Sequence, residues 1–266
     1  MSPRLVFLKL GGSLITVKAQ PHTPRMDVLA RLAGEIAEAR SQDQGLQIIL
    51  GHGSGSFGHV PASKYHTRQG IHSTEEWLGF AEVWQEASEL NRLVMQSLEQ
   101  AGLPVMVFSP SATVISRDGK VAIWNLIPLR SSLEEGQLPV VYGDVVFDLM
   151  RGGTILSTED LFSYLVPIFR PVLLLEAGIE PGVWQDYPTN TRLLREITPQ
   201  SFPIIQASVK GSATTDVTGG MLDKVHQVLT MVERVPGLNA SIFSAEPPGS
   251  LLRALLGENM GTLLHG

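Results

Sequence analysis

Three glycine-rich stretches carry the chemistry of this chain. The middle one, Gly51-His52-Gly53-Ser54-Gly55-Ser56-Phe57-Gly58-His59, directly follows the apolar run Leu46-Gln47-Ile48-Ile49-Leu50. Glycine serves where the backbone takes positive φ or lies against a ligand. At a strand end, a glycine turn offers several backbone N–H groups to an anion, most often a phosphate. His59 closes the turn, and its imidazole can donate to a phosphate oxygen or exchange a proton near neutral pH. The competing reading is a Gly/Ser surface loop with an incidental histidine, which only context decides. Nearer the start, Leu5-Val6-Phe7-Leu8-Lys9-Leu10-Gly11-Gly12-Ser13 is a second apolar strand running into glycines, with a lysine in its end. Far downstream, Asp216-Val217-Thr218-Gly219-Gly220-Met221-Leu222-Asp223-Lys224 reads as a Gly-Gly helix start with a lysine one turn in. Two lysines and a histidine on three glycine turns suggest a polyphosphate held from several sides. The spacing fits neither the P-loop nor the glycine loop of protein kinases.

The intervening segments must position these turns. Residues 4–8 and 46–50 read as buried strands. The stripe Val28, Leu29, Leu32, Ile36 and Ala39 makes 27–43 a helix, so the first fifty residues form a right-handed βαβ unit. Residues 17–25, with Lys18, are a polar loop. A long helix over 75–101 places Phe80, Val83, Trp84 and Ala87 on one face, either as core or as the wall of an apolar pocket. Strands are expected at 105–108, 139–142, 154–156, 171–175, 240–243 and 262–264, and helices at 220–234 and 248–256. Asp118-Gly119 signals a tight hairpin that could act as a lid. Ser157, followed by Glu159 and Asp160, caps a helix start. Asp144, after the strand 139–142 and Gly143, sits where α/β sheets place their ligands. Residues 185–215, rich in Pro, Thr and Ser, read as a mobile excursion. His59, His66 and His72 share no helix face, so no metal ligands are expected from the protein. The alternation predicts an α/β fold: one three-layer αβα sandwich with a mostly parallel central sheet, over residues 1–266.

Composition narrows the partners. Hydrophobic residues make up 43% and charged residues 17% of the 266, an ordinary globular balance. The formal net charge of −6 argues against a nucleic-acid surface, which carries a basic stripe. There is no cysteine, which removes disulfides and thiol catalysis and agrees with a cytoplasmic location. No apolar run is long enough to span a membrane, and Lys9 interrupts the only early apolar run, so no signal peptide is expected.

Lys9-Leu10-Gly11-Gly12-Ser13, His52-Gly53-Ser54-Gly55-Ser56-Phe57-Gly58-His59 and Thr218-Gly219-Gly220-Met221-x-x-Lys224, taken in order, resemble the amino acid kinase superfamily. The ending Gly55-Ser56-Phe57-Gly58-His59 is similar to that of the isopentenyl phosphate kinases within it. The resemblance spans residues 9 to 224 and implies ATP as phosphoryl donor, with Mg²⁺ held mainly by phosphate oxygens. It implies that Lys9 and Lys224 are cations on the transferring phosphoryl group, with Asp144 orienting both. His59 would bind the acceptor's phosphate. Gly11, Gly12, Ser13, Lys18, Gly55, Ile179, Gly182, Gly219 and Gly220 would meet the nucleotide. Ser54, Gly55, Gly58 and Thr158 would meet the acceptor, with Phe80, Val83 and Trp84 around its tail. The acceptor side then covers about residues 1–170 and the nucleotide side about 171–266. Small molecules are the expected partners, and a homodimer the expected assembly. Two departures stand out. Thr158-Glu159-Asp160 replaces the family's Gly-Asp-Asp. Gly178-Ile179-Glu180-Pro181-Gly182-Val183-Trp184 replaces Thr-Asp-Val-Asp-Gly-Val-Tyr, leaving the nucleotide preference open. A fosfomycin-type phosphonate kinase shares the histidine loop, and a binding or storage protein on the same fold is the non-enzymatic alternative.

Overall fold

Apolar runs and amphipathic stripes alternate along the chain as strands and helices. A computed structural model describes residues 3–209 and 220–266, apart from the side chains of His59 and residues 207–209. The first half runs β1 (Arg4–Leu10), α1 (Gly12–Ile15), α2 (Met26–Gln42), β2 (Leu46–His52), α3 (His59–Lys64) and α4 (Thr74–Gln100). Then come β3 (Val105–Val107), α5 (Pro110–Thr113), β4 (Val114–Arg117), β5 (Lys120–Trp124), α6 (Ile127–Glu134), β6 (Leu138–Tyr142), β7 (Asp144–Asp148) and β8 (Gly152–Leu156). The rest is α7 (Thr158–Phe169), β9 (Leu173–Gly178), β10 (Glu196–Ile197), α8 (Phe202–Val209), α9 (Gly220–Arg234), β11 (Asn239–Ser244), α10 (Ser250–Leu255) and β12 (Thr262–Leu264).

Eight strands form one sheet in the order β10-β12-β11-β9-β1-β2-β6-β3. Its neighbours are parallel except β11 with β12. β1 lies at the centre, and Val6, Phe7 and Leu8 are fully buried. A strand covered on both faces reads as a continuous apolar run, which is why it was legible in the sequence. On one face Leu32 and Ile36 of α2, Leu90 and Val94 of α4 and Leu251 of α10 join Leu8 and Leu50. On the other, Phe162 and Leu165 of α7 and Val228 and Val232 of α9 join Phe7 and Ile49. Each such side chain contributes roughly 1.5–3 kcal/mol on burial. The expected three-layer arrangement with a mostly parallel sheet is present.

A second sheet was not anticipated: β5-β4-β7-β8. The chain leaves β6, turns at Gly143 and enters β7 at Asp144, so Asp144 follows one strand, as expected, and also opens the next. The Asp118-Gly119 turn has positive φ at both residues, 50° and 73°, as a two-residue hairpin turn requires. It is not a lid. The Asp148 carboxylate accepts from the N–H groups of Asp118 (3.1 Å), Gly119 (2.9 Å), Met150 (2.8 Å) and Arg151 (2.9 Å), pinning the turn to β7. Residues 185–215 contain β10 and α8, with residues 210–219 outside the described part.

Candidate active site

The parallel register brings the carboxyl ends of β1, β2 and β9 side by side. Lys9 is level with Gly51 on one neighbour and Glu176 on the other. Ligands of open α/β sheets lie at such strand ends, and here the glycine turns follow directly. Lys9 is 5% exposed. Its ammonium is ion-paired with Glu159, and Glu176 Oε2 stands 3.5 Å from it.

Glu159 owes its place to the start of α7. Ser157 Oγ accepts the Asp160 N–H (3.1 Å), and the Asp160 carboxylate accepts the Ser157 N–H (2.8 Å). This reciprocal cap satisfies two otherwise orphaned donors and presents Glu159 in the first helical turn, where the helix dipole favours negative charge. Arg68 donates to Asp160 at 3.1 Å. Thr158 donates its hydroxyl to the His52 carbonyl at 2.6 Å, tying α7 to the end of β2.

Electrostatics bind this group together. Burial works against the Lys9 charge, but the attraction of Glu159 and then Glu176 outweighs it, and the pKa is raised. Burial also works against the Glu159 charge, yet Lys9 and Lys224 hold that carboxyl below its ordinary value. Glu176 goes the other way: burial and the neighbouring Glu159 push its carboxyl up, against the pull of Lys9.

The two glycine turns touch. A methyl group on Gly12 would sit on the Gly55 backbone, and one on Gly55 would sit on Thr16. Gly55 has φ +54°, so glycine is needed there on both counts. Thr16 clamps the pair, its Oγ1 donating to the Gly12 carbonyl (2.8 Å) and accepting the Ser56 N–H (2.8 Å). The Gly58 N–H donates to the Glu86 carboxylate.

These elements enclose a cavity of about 400 Å³. It brings together Lys9, Gly11, Gly12, Ser13, Lys18, Ser54, Gly55, Gly58, Val83, Asp144, Thr158, Ile179, Gly220 and Lys224, all singled out from the sequence. The sheet order separates its two sides. β9, β11 and α9 supply Ile179, Phe243, Gly220 and Lys224 on one. β2, α3, α4 and β8 lead to Gly58, Ala62, Val83, Ala87 and Ile155 on the other. Beside Ile179, Glu180 accepts the Trp184 Nε1–H at 3.0 Å, and both line the cavity with Tyr187.

Several expected residues lie elsewhere. Phe80 turns under the second sheet, packing on Trp77 (5.1 Å between ring centroids) and Phe147 (5.5 Å). Trp84 follows Val83 by about 100° of helix rotation and is 46% exposed. Neither borders the cavity. Gly182 packs on Thr262, whose Oγ1 accepts the Val183 N–H at 2.8 Å. Asp144 borders the cavity but does not hold Lys9. Its carboxylate accepts the N–H groups of Ser111 (3.1 Å) and Val145 (2.9 Å), and Glu159 and Glu176 are the acids beside the lysine. Burial pushes the Asp144 carboxyl up to about 6. His59 opens α3, and its side chain, like Gly219, lies outside the described residues.

Sequence reasoning missed Glu159, Glu176, Thr16 and Arg68. For Glu176 a signal existed: a carboxylate continuing the apolar run Leu173-Leu174-Leu175 is expensive to bury unless it has a task. For Thr16 there was none, since its contacts join positions forty residues apart.

The amino acid kinase family model matches residues 4–244. The isopentenyl phosphate kinase of Methanothermobacter thermautotrophicus is 35% identical, over 98% of this chain and 99% of its own. That of Methanocaldococcus jannaschii is 30% identical, over 97% of both chains. A solved isopentenyl phosphate kinase, 31% identical, superposes with a TM-score of 0.80 over 98% of this chain and 99% of that one. With two lysines, glycine turns and an apolar side in one cavity, a family model over most of its length and relatives 30–35% identical across nearly the whole of it, the chain belongs to the amino acid kinase family and, within it, to the isopentenyl phosphate kinases.

Proposed function

We propose that the protein transfers the γ-phosphoryl group of ATP to isopentenyl phosphate, giving isopentenyl diphosphate and ADP. The observation that carries this reading is one cavity with two unlike sides, Lys9 and Lys224 with the glycine turns toward one and Ala62, Val83, Ala87 and Ile155 toward the other. Phosphoryl transfer asks a protein chiefly for alignment and charge stabilisation. Lys9 and Lys224 supply cations for the transferring group, and Glu159 keeps Lys9 charged and aimed. The N–H groups of the clamped glycine turns cradle the nucleotide phosphates. His59 donates to the acceptor phosphate and fixes its attacking oxygen in line.

Mg²⁺ accompanies ATP in this proposal. Mg²⁺ keeps several waters and takes few protein ligands, so the phosphate oxygens are its main ligands in this reading. The nucleotide occupies the side built from residues 171–266 and the acceptor the side built from 1–170. The proposal extends to a homodimer in the cytoplasm, which light scattering and cell fractionation check. Among the described residues no helix is long and apolar enough to cross a membrane. The direct test is a screen of isopentenyl phosphate, dimethylallyl phosphate, fosfomycin and amino acids with ATP and Mg²⁺. Isopentenyl phosphate is the expected best acceptor. Preference for fosfomycin makes the protein a phosphonate kinase, and no ADP release with any acceptor makes it a binding protein.

A further inference from the structure

Glu176 is a buried carboxyl group that the transfer chemistry above does not use. It is 3% exposed, at the carboxyl end of β9, and borders the cavity. Oε2 lies 3.5 Å from Lys9 Nζ, while Oε1 is buried with no hydrogen-bond partner among the described residues. Among the described residues the charged groups that face it are Lys9 from β1, Glu159 from α7 and Lys224 from α9. β11 brings Ile242 into register and adds no charge. Lys9 is already paired with Glu159. Leaving a buried acceptor unpaired is costly, more so when it is charged, and two carboxylates sharing a site resist ionising together. A proton on Oε1 takes the uncompensated charge off that oxygen and relieves the repulsion between the two carboxylates. It also makes the oxygen a donor, still to be paired, at the edge of a cavity whose ammonium and N–H groups suit an anion.

We propose that Glu176 carries a proton on this oxygen and donates it as a hydrogen bond to a phosphate oxygen of the bound nucleoside triphosphate. The identity of the ligand rests on the kinase reading; the proton rests on the geometry around Glu176. Burial, which pushes this carboxyl up, acts in the same direction. Loss of the proton at higher pH removes the donor and sets a negative charge against the phosphates. Affinity for the nucleotide is therefore full at low pH and falls as pH rises.

Two measurements on the full chain test this. Infrared difference spectra of ligand-free wild type against Glu176→Gln read the proton directly: a protonated-carboxyl stretch near neutral pH must be present in wild type and absent from the variant. Calorimetric titration with a non-hydrolysable ATP analogue between about pH 6 and about pH 9 reads the donor. Glutamine keeps the shape and a neutral N–H, so its affinity follows only the ligand's own ionisation. Wild type must lose up to about tenfold more affinity per pH unit than Glu176→Gln, the limit for one linked proton. Glu176→Ala, without a donor, must bind more weakly than Glu176→Gln throughout. A missing infrared band overturns the proton. Equal pH slopes in wild type and Glu176→Gln overturn the donor role. A band with no nucleotide binding to folded wild type overturns the kinase reading, and the donor role with it.

Discussion

The two sides of the cavity are specified by different physics. Around Lys9 of β1, Glu159 of α7 pairs with the ammonium, Glu176 of β9 stands beside it, and Lys224 of α9 acts on both carboxyls. Around Val83 the walls are Ala62, Ala87 and Ile155, which offer space and apolar surface but no bond to a particular atom. A network of buried charges fails when one member goes, because the partner is left uncompensated. An apolar wall changes gradually with volume. Substitutions on the first side should therefore cost turnover and stability together, and those on the second should change which acceptor is preferred.

The largest effect is expected of the histidine assigned to the acceptor phosphate. His59→Ala should take transfer to a phosphate acceptor below detection, while His59→Asn keeps part of it by retaining a donor. Wild-type kcat and KM in the alanine variant would remove His59 from acceptor binding. Next come the lysines: Lys9→Ala and Lys224→Ala should each lower turnover by ~10²–10³. They should differ in the melting temperature. Lys9→Ala strands the Glu159 carboxylate and costs about 3–5 kcal/mol, whereas Lys224, only half-buried, costs less. Equal melting temperatures would show that the charge network does not hold Lys9 as described.

On the apolar side, Phe80→Ala should cost about 3–5 kcal/mol of stability as a core truncation and leave acceptor preference unchanged. Exposed Trp84→Ala should move neither by much. Denaturation midpoints beside kcat/KM for isopentenyl and geranyl phosphates decide this, and a preference that follows Trp84 would move the tail pocket to the other side of α4. A smaller effect separates Asp144 from the lysine network. Its folded-state pKa of about 6 lies above the ordinary carboxylate value because of burial. The folded protein thus holds this proton more tightly, and stability falls as pH rises from about 4 through 6. Asp144→Asn should remove about 2–3 kcal/mol of that fall, read from denaturant midpoints across pH. Parallel curves for variant and wild type would contradict the burial account.

What the sequence disclosed follows the same division. β1, β2 and the glycine turns were legible because a fully buried strand ending in glycine leaves an apolar run and a break. α9 was expected over 220–234 from its Gly-Gly start, the bounds it has. Asp144 was placed at a strand end beside the ligand site, and it lines the cavity; what stayed hidden is that the chain there passes into a second sheet. The ion-pair partner of Lys9 is Glu159, which reads in the sequence only as part of a helix start. Glu176 was overlooked because the strand was ended at Leu175, whereas β9 runs on to Gly178. Trp84 was assigned with Val83 because spacing marks a stripe without showing which of its edges meets a cavity.

The independence of the two sides is best tested by one ratio, kcat/KM for isopentenyl phosphate over that for geranyl phosphate, in Val83→Ala and Lys224→Ala. Val83→Ala should shift the ratio toward the longer acceptor by about fourfold for each methylene it admits, the equivalent of ~0.8 kcal/mol, with the five-carbon rate largely kept. Lys224→Ala should lower both rates alike and leave the ratio where it was. A ratio that moves in Lys224→Ala, or a Val83→Ala variant that loses both activities equally, would contradict the division of the cavity into a charged side that sets rate and an apolar side that sets selectivity.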